Sequence, residues 1–116
     1  MRLRPAALLA VLLNAGYSLA QASVSIADFS AVGQPNKIVL NWTTGNEVNN
    51  VGFNMLRSTA QNGTYGKLNP SLIPSNSFGS VSGSDYTYND SSAAPNQTYF
   101  YKLLAVDLNG NQENFG

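Results

Sequence analysis

Past residue 22 the chain alternates apolar and small polar side chains along most of its length. Ser23-Val-Ser-Ile-Ala-Asp-Phe-Ser-Ala-Val32 has the period of two that marks a half-buried strand. A turn at Gly33-Gln-Pro-Asn36 follows, and residues 37–43 repeat the pattern with Ile38, Leu40 and Trp42 on one face. The polar stretch 44–50 reads as a loop, after which residues 52–57 alternate again with Phe53 and Met55 inward. Asn62-Gly63 predicts a tight turn with positive φ, because Asn and Gly reach that conformation at least cost. Residues 65–68 form a short strand, and Pro70 and Pro74 hold Leu72 and Ile73 at an edge or outside the sheet. A Ser/Gly-rich loop over 75–84 leads to a strand at 85–89. The longest strand, 98–108, turns at Asn109-Gly110. Its alternation sends Tyr99, Tyr101, Leu103 and Ala105 one way and Phe100, Leu104 and Val106 the other. No helical period persists over three turns, so the pattern predicts an all-β sandwich of about seven strands in a single domain, 23–116.

The first 22 residues follow a different rule. Arg2 and Arg4 precede the apolar run Ala6-Ala-Leu-Leu-Ala-Val-Leu-Leu13, and Ala20-Gln-Ala22 supplies a small-x-small triplet. This is the layout of a secretory signal peptide cleaved after Ala22. The run is too short for a helix that crosses a bilayer, which needs roughly 20 residues. The expected location is therefore secreted or cell-surface, with no stable membrane span.

Composition narrows the chemistry. With no His and no Cys among 116 residues, nucleophilic triads, redox CxxC sites, imidazole or thiolate zinc sites and disulfides are all excluded. Only 10% of residues are charged, against about 25% in ordinary globular chains, and few cations remain once the leader is set aside. Nucleic acid is not an expected partner. The remaining acid-base candidates are Asp28, Glu47, Asp85, Asp90, Asp107 and Glu113. A glycosidase needs two carboxyls facing each other across a cleft, and a small sandwich offers no deep one. The chain is accordingly read as not an enzyme, with no catalytic residue, cofactor or metal.

Three segments in order carry a family resemblance. Ile38-Val-Leu40-Asn-Trp42 matches the apolar-x-apolar-x-Trp strand of the fibronectin type III superfamily. Tyr99-Phe-Tyr101-Lys-Leu103-Leu-Ala105-Val106-Asp107-Leu-Asn-Gly110 resembles its Tyr-x-apolar-x-apolar-x-Ala-Val-(Asn/Asp)-x-x-Gly strand. Between them, the stretch from Trp42-Thr-Thr-Gly-Asn-Glu47 to Gly52-Phe53-Asn-Met-Leu-Arg57-Ser58 resembles a bacterial secreted and cell-surface subgroup. The resemblance implies an immunoglobulin-like sandwich with Trp42 as a core plug, whose burial contributes on the order of 2–3 kcal/mol. It also implies a tyrosine corner at Tyr99, with its hydroxyl bonded to the backbone upstream. The final strand G should be short or missing, since only residues 111–116 follow the turn. Either the sequence is part of a longer modular protein, or a neighbouring chain pairs the open edge.

Site by site, Glu47 reads as an anchor of its loop, accepting backbone N–H bonds or pairing with Arg57, and Asp90 as the cap of the turn that follows it. Asp107, Asn109 and Asn111 place oxygens at alternate positions around a glycine, yet a hairpin turn accounts for them without calcium. Leu56, Phe100, Leu104 and Val106 form a candidate contact face for neighbouring domains or subunits, with Lys102 in the same row. The expected function is that of a non-catalytic extracellular spacer or protein-interaction module. Alternatives are a structural subunit of an assembly or filament completed by strand donation, and an accessory carbohydrate-binding module whose exposed Tyr65, Tyr86 or Tyr88 stack on polysaccharide.

Overall fold

In the computed structural model, residues 24–116 are described, together with two short stretches of earlier backbone, Arg2–Leu3 and Leu8–Ala10. The signal-peptide reading, with its cleavage point after Ala22, falls for the most part outside the described residues. In chain order the strands are β1 (Arg2–Leu3), β2 (Leu8–Ala10), β3 (Ser25–Gly33), β4 (Ile38–Asn46), β5 (Asn50–Ser58), β6 (Gly66–Lys67), β7 (Ile73–Pro74), β8 (Asp85–Asp90), β9 (Tyr99–Asp107) and β10 (Gln112–Phe115). No helix is present among the described residues. One sheet runs β2-β3-β4-β8; the other runs β1-β9-β5-β6, with β10 also on β9 and β7 also on β5. All pairings are antiparallel.

The alternation seen in the sequence sorts side chains as expected. Ile38, Leu40 and Trp42 from β4 meet Phe53 and Met55 from β5 and Tyr99, Tyr101, Leu103 and Ala105 from β9, all buried in one core. Trp42 stands at its centre, stacked on Tyr86 (centroids 5.2 Å apart) and edge-on to Phe53 (5.5 Å). Its indole N–H meets no acceptor among the described residues, so burial of this ring is an apolar gain with one polar group left unmatched.

Two local expectations are corrected. Strand β4 continues to Asn46, shortening the loop expected at 44–50 to Glu47-Val-Asn49, because Ile26 and Ser25 of β3 pair with Thr44 and Asn46. Asn62 and Gly63 do not take positive φ; the turn there closes by Gly63 N–H donating to Ala60 O (3.0 Å). At the Asn109-Gly110 turn Gly110 does, at φ 83°. The last strand is short, as expected: four residues, Gln112 to Phe115, pair with Val106 to Leu103.

The sandwich has two unlike ends. At one, β4 passes to β5 through 47–49, β9 turns into β10 through 108–111, and the 75–84 loop enters β8. At the other lie the turn between β3 and β4, the departure of the chain from β5, and the passage from β8 to β9.

Candidate functional site

Glu47, fully buried, organises the first end. Its carboxylate accepts from Thr44 Oγ1 (2.6 Å), from Tyr86 OH (2.6 and 2.8 Å to the two oxygens) and from Ser75 Oγ. Its backbone is tied in as well: Glu47 N–H donates to Ser80 O (3.0 Å), and Gly79 N–H donates to Glu47 O (3.0 Å). The 75–84 loop is thereby laced to the β4–β5 corner from both sides. Thr44 and Ser84 exchange further bonds, Thr44 N–H to Ser84 O (2.9 Å) and Ser84 N–H to Thr44 Oγ1 (2.8 Å). Gly83 is required there, since a Cβ at that position would run into Thr44 O. The third loop joins through Leu108 N–H, which donates to Asn49 O (3.3 Å).

No cation takes part in this set of bonds. Burial pushes the Glu47 carboxyl up, but hydrogen bonds led by those from Ser75, Thr44 and Tyr86 outweigh it and hold the pKa below the ordinary carboxylate value. Tyr86 moves the other way: burial pushes its phenol up to about 12, opposed by its bond from Asn76 N–H and reinforced by the Glu47 charge. The expected Glu47–Arg57 pair does not form. Arg57 points into the sandwich farther along β5 and binds Asp90 instead.

Asp90 is the second buried carboxylate, 2% exposed. Arg57 Nη1 lies 3.0 and 2.9 Å from its two oxygens, Tyr101 OH donates to Oδ2 at 2.7 Å, and Ser92 donates to Oδ1 from both N–H (3.2 Å) and Oγ (2.9 Å). The bonds from Ser92 cap the turn, as the sequence suggested, and Arg57 and Tyr101 extend the set across both sheets. Burial pushes the Tyr101 phenol far up, and its bond to Asp90 adds to this. The Arg57 guanidinium also covers the Tyr99 ring, 4.6 Å from its centroid. Tyr99 OH in turn accepts from Ala94 N–H (2.7 Å), bonding back to the upstream backbone as the resemblance implied.

The other acidic residues do not converge. Asp28 and Asp85 are exposed on the outer face of the β2-β3-β4-β8 sheet, each paired in register with Thr43. Glu113 lies on β10, its pKa raised by burial. Asp107 Oδ1 accepts from Asn109 N–H (2.8 Å) and Asn111 N–H (2.9 Å), so the turn's own amides occupy that oxygen. Among the described residues no group of three or more metal-binding side chains gathers.

The tyrosine platform is corrected in part. Tyr86 is buried, because β8 alternates and directs Tyr86, Tyr88 and Asp90 toward the core side; Tyr88 is half-buried against that core and Tyr65 is half-buried elsewhere. Leu56, Phe100, Leu104 and Val106 are half-buried on the outer side of the β5–β9 pair. Leu56 stands between Lys67 and Lys102 in register, and Lys102 Nζ sits 4.4 Å above the Tyr65 ring.

Sequence reasoning missed the role of Ser75, Thr44 and Tyr86 around Glu47. Their one signal is that an acidic residue in a corner loop needs donors, and neighbouring hydroxyl-rich segments can supply them. No known family, curated protein or solved structure matches the chain.

Proposed function

We propose that this chain is a non-catalytic, exported β-sandwich module of the fibronectin type III kind, serving as a spacer or protein-interaction domain of a bacterial secreted or cell-surface protein. The observation that carries this reading is the state of its two buried carboxylates: Glu47 and Asp90 are surrounded by donors from the fold itself, and both tie loops to sheets. A group held by several short bonds to its own scaffold is suited to fixing structure rather than to exchanging protons with a substrate. Strand order supports the fold assignment, with β3, β4 and β8 in one layer and β5, β9 and β10 in the other. The tyrosine corner and the buried tryptophan agree with it.

Expression with the intact leader in a bacterial host, followed by fractionation and N-terminal sequencing, tests the reading. It expects a cooperatively folded protein outside the cytoplasm that starts at Ser23. Cytoplasmic retention with Met1 intact overturns export. Retention on insoluble polysaccharide that Tyr65→Ala abolishes transfers the role to carbohydrate binding.

A further inference from the structure

The exposed large apolar side chains of the described residues are not scattered. Val48 is 51% exposed, Leu72 39%, Phe78 50%, Val81 82% and Leu108 62%, and all five belong to the Glu47 end. Val48 sits in the β4–β5 corner, Phe78 and Val81 in the 75–84 loop and Leu108 in the β9–β10 turn. Leu72 lies beside Gly52 near the start of β5, where a Cβ on Gly52 would meet its Cγ at 2.7 Å. Backbone bonds from Gly79 to Glu47, from Glu47 to Ser80 and from Leu108 to Asn49 hold these loops against one another. The result is a projecting apolar crown on a fixed base, with no Lys or Arg in any of its loops.

Charge is divided to match. Beside the crown, on the outer face of the β2-β3-β4-β8 sheet, stand the exposed carboxylates Asp28 and Asp85. The cations Lys67 and Lys102 stand instead on the outer face of the other sheet, on either side of Leu56 and in the company of Phe100, Leu104 and Val106. Two crowns brought together would set carboxylates against carboxylates. A crown set on the Leu56–Phe100–Leu104 face joins apolar to apolar and carboxylate to ammonium.

We infer that the crown docks on the outer β5–β9 face of a second copy of this chain. The inference rests on reading the domain as an interaction module and names its partner. Because two different surfaces meet, the contact is heterologous, and repetition extends it into an open file of copies instead of closing a symmetric dimer.

Sedimentation velocity on the full-length chain tests this, carried up to about 1 mM because contacts burying under roughly 1,200 Å² are of the weak class. Wild type should show a mass that climbs with concentration beyond a dimer. A crown variant, Phe78→Ser with Val81→Ser, and a face variant, Phe100→Ser with Leu104→Ser, should each stay monomeric, while their mixture forms heterodimers and stops there. Should the face variant fail to fold by circular dichroism, Lys67→Glu, an exposed position, replaces it and should lower association. Wild type that stays monomeric overturns the contact and leaves the spacer reading intact. Association that survives in both variants overturns it too, since it then runs through other residues. A monomeric wild type that floats with phosphatidylcholine vesicles, when the crown variant does not, assigns the crown to a lipid surface and overturns the contact between copies.

Discussion

The two ends of the sandwich bury one carboxylate each and balance it by different means. At the Asp90 end a guanidinium supplies the countercharge, and a phenol and a serine fill the remaining lone pairs. At the Glu47 end neutral hydroxyls supply the short bonds, and the anion is tolerated because Thr44, Ser75 and Tyr86 converge on it at short range. A salt bridge fixes two side chains; a ring of hydroxyls also fixes the segments that carry them. The 75–84 loop, rich in Ser and Gly and intrinsically costly to order, is held by the second arrangement. The difference explains how a loop with so little apolar content can support exposed Phe78 and Val81 in place.

Removing the cation should have the largest effect. Arg57→Met leaves Asp90 buried without its countercharge and should cost about 3 kcal/mol in urea unfolding, toward the low end for a broken buried pair because the Arg57 side chain is 23% exposed. A loss under about 1 kcal/mol would mean that Tyr101 and Ser92 suffice, and the two ends would be alike.

Glu47→Gln comes next. It keeps the shape but weakens charge-assisted bonds to three hydroxyls, so about 2 kcal/mol should be lost, or roughly 10 °C in melting temperature for a domain of this size. Hydrogen exchange should rise in the 75–84 amides and leave those around Asp90 unchanged. Gly83→Ala attacks the same loop sterically, and relief of the clash with Thr44 O should cost about 1 to 2 kcal/mol, again with exchange confined to the Glu47 end.

Acid should separate the ends further. The folded pKa of Glu47 lies below the ordinary value of 4.5, so its stabilisation is complete above that pH and is lost as pH falls through the folded value. Glu113, raised by burial, has the opposite sign: its contribution favours the fold in acid and is lost as pH rises through its folded pKa. The melting temperature of wild type should therefore drop toward that of Glu47→Gln as pH falls below 4.5, and equal slopes for both proteins would remove Glu47 from the acid response. The smallest effect is expected for Phe78→Ser, within about 0.5 kcal/mol, since the side chain is half exposed and packs in no core.

Much of this fold was legible in the sequence, for a physical reason that also sets the limit. Alternation along β4, β5 and β9 assigned Trp42, Phe53, Tyr101 and Leu103 to the core because a period of two leaves no choice of face once one residue is placed. Asp90 as a turn cap was readable because its partner Ser92 is two residues away. The Glu47 partners were not, since Ser75 and Tyr86 lie 28 and 39 residues away and a hydroxyl has no periodicity to betray its direction. Arg57 was assigned to the wrong carboxylate for the same reason: both acids were plausible by type, and the register of β5 on β9 decided between them by setting Arg57 opposite Tyr101. Tyr86 was grouped with exposed rings because its strand carries too few apolar residues for alternation alone to say which face is buried.

The most direct measurement is a carbon-detected NMR titration of the Glu47 carboxyl in the folded protein. Three hydroxyl donors around a buried anion predict a pKa below 4.5 and a side-chain resonance that shifts together with the amides of the 75–84 loop. A pKa above that value, with those amides unmoved, would show a carboxyl that burial governs and a loop that something else holds.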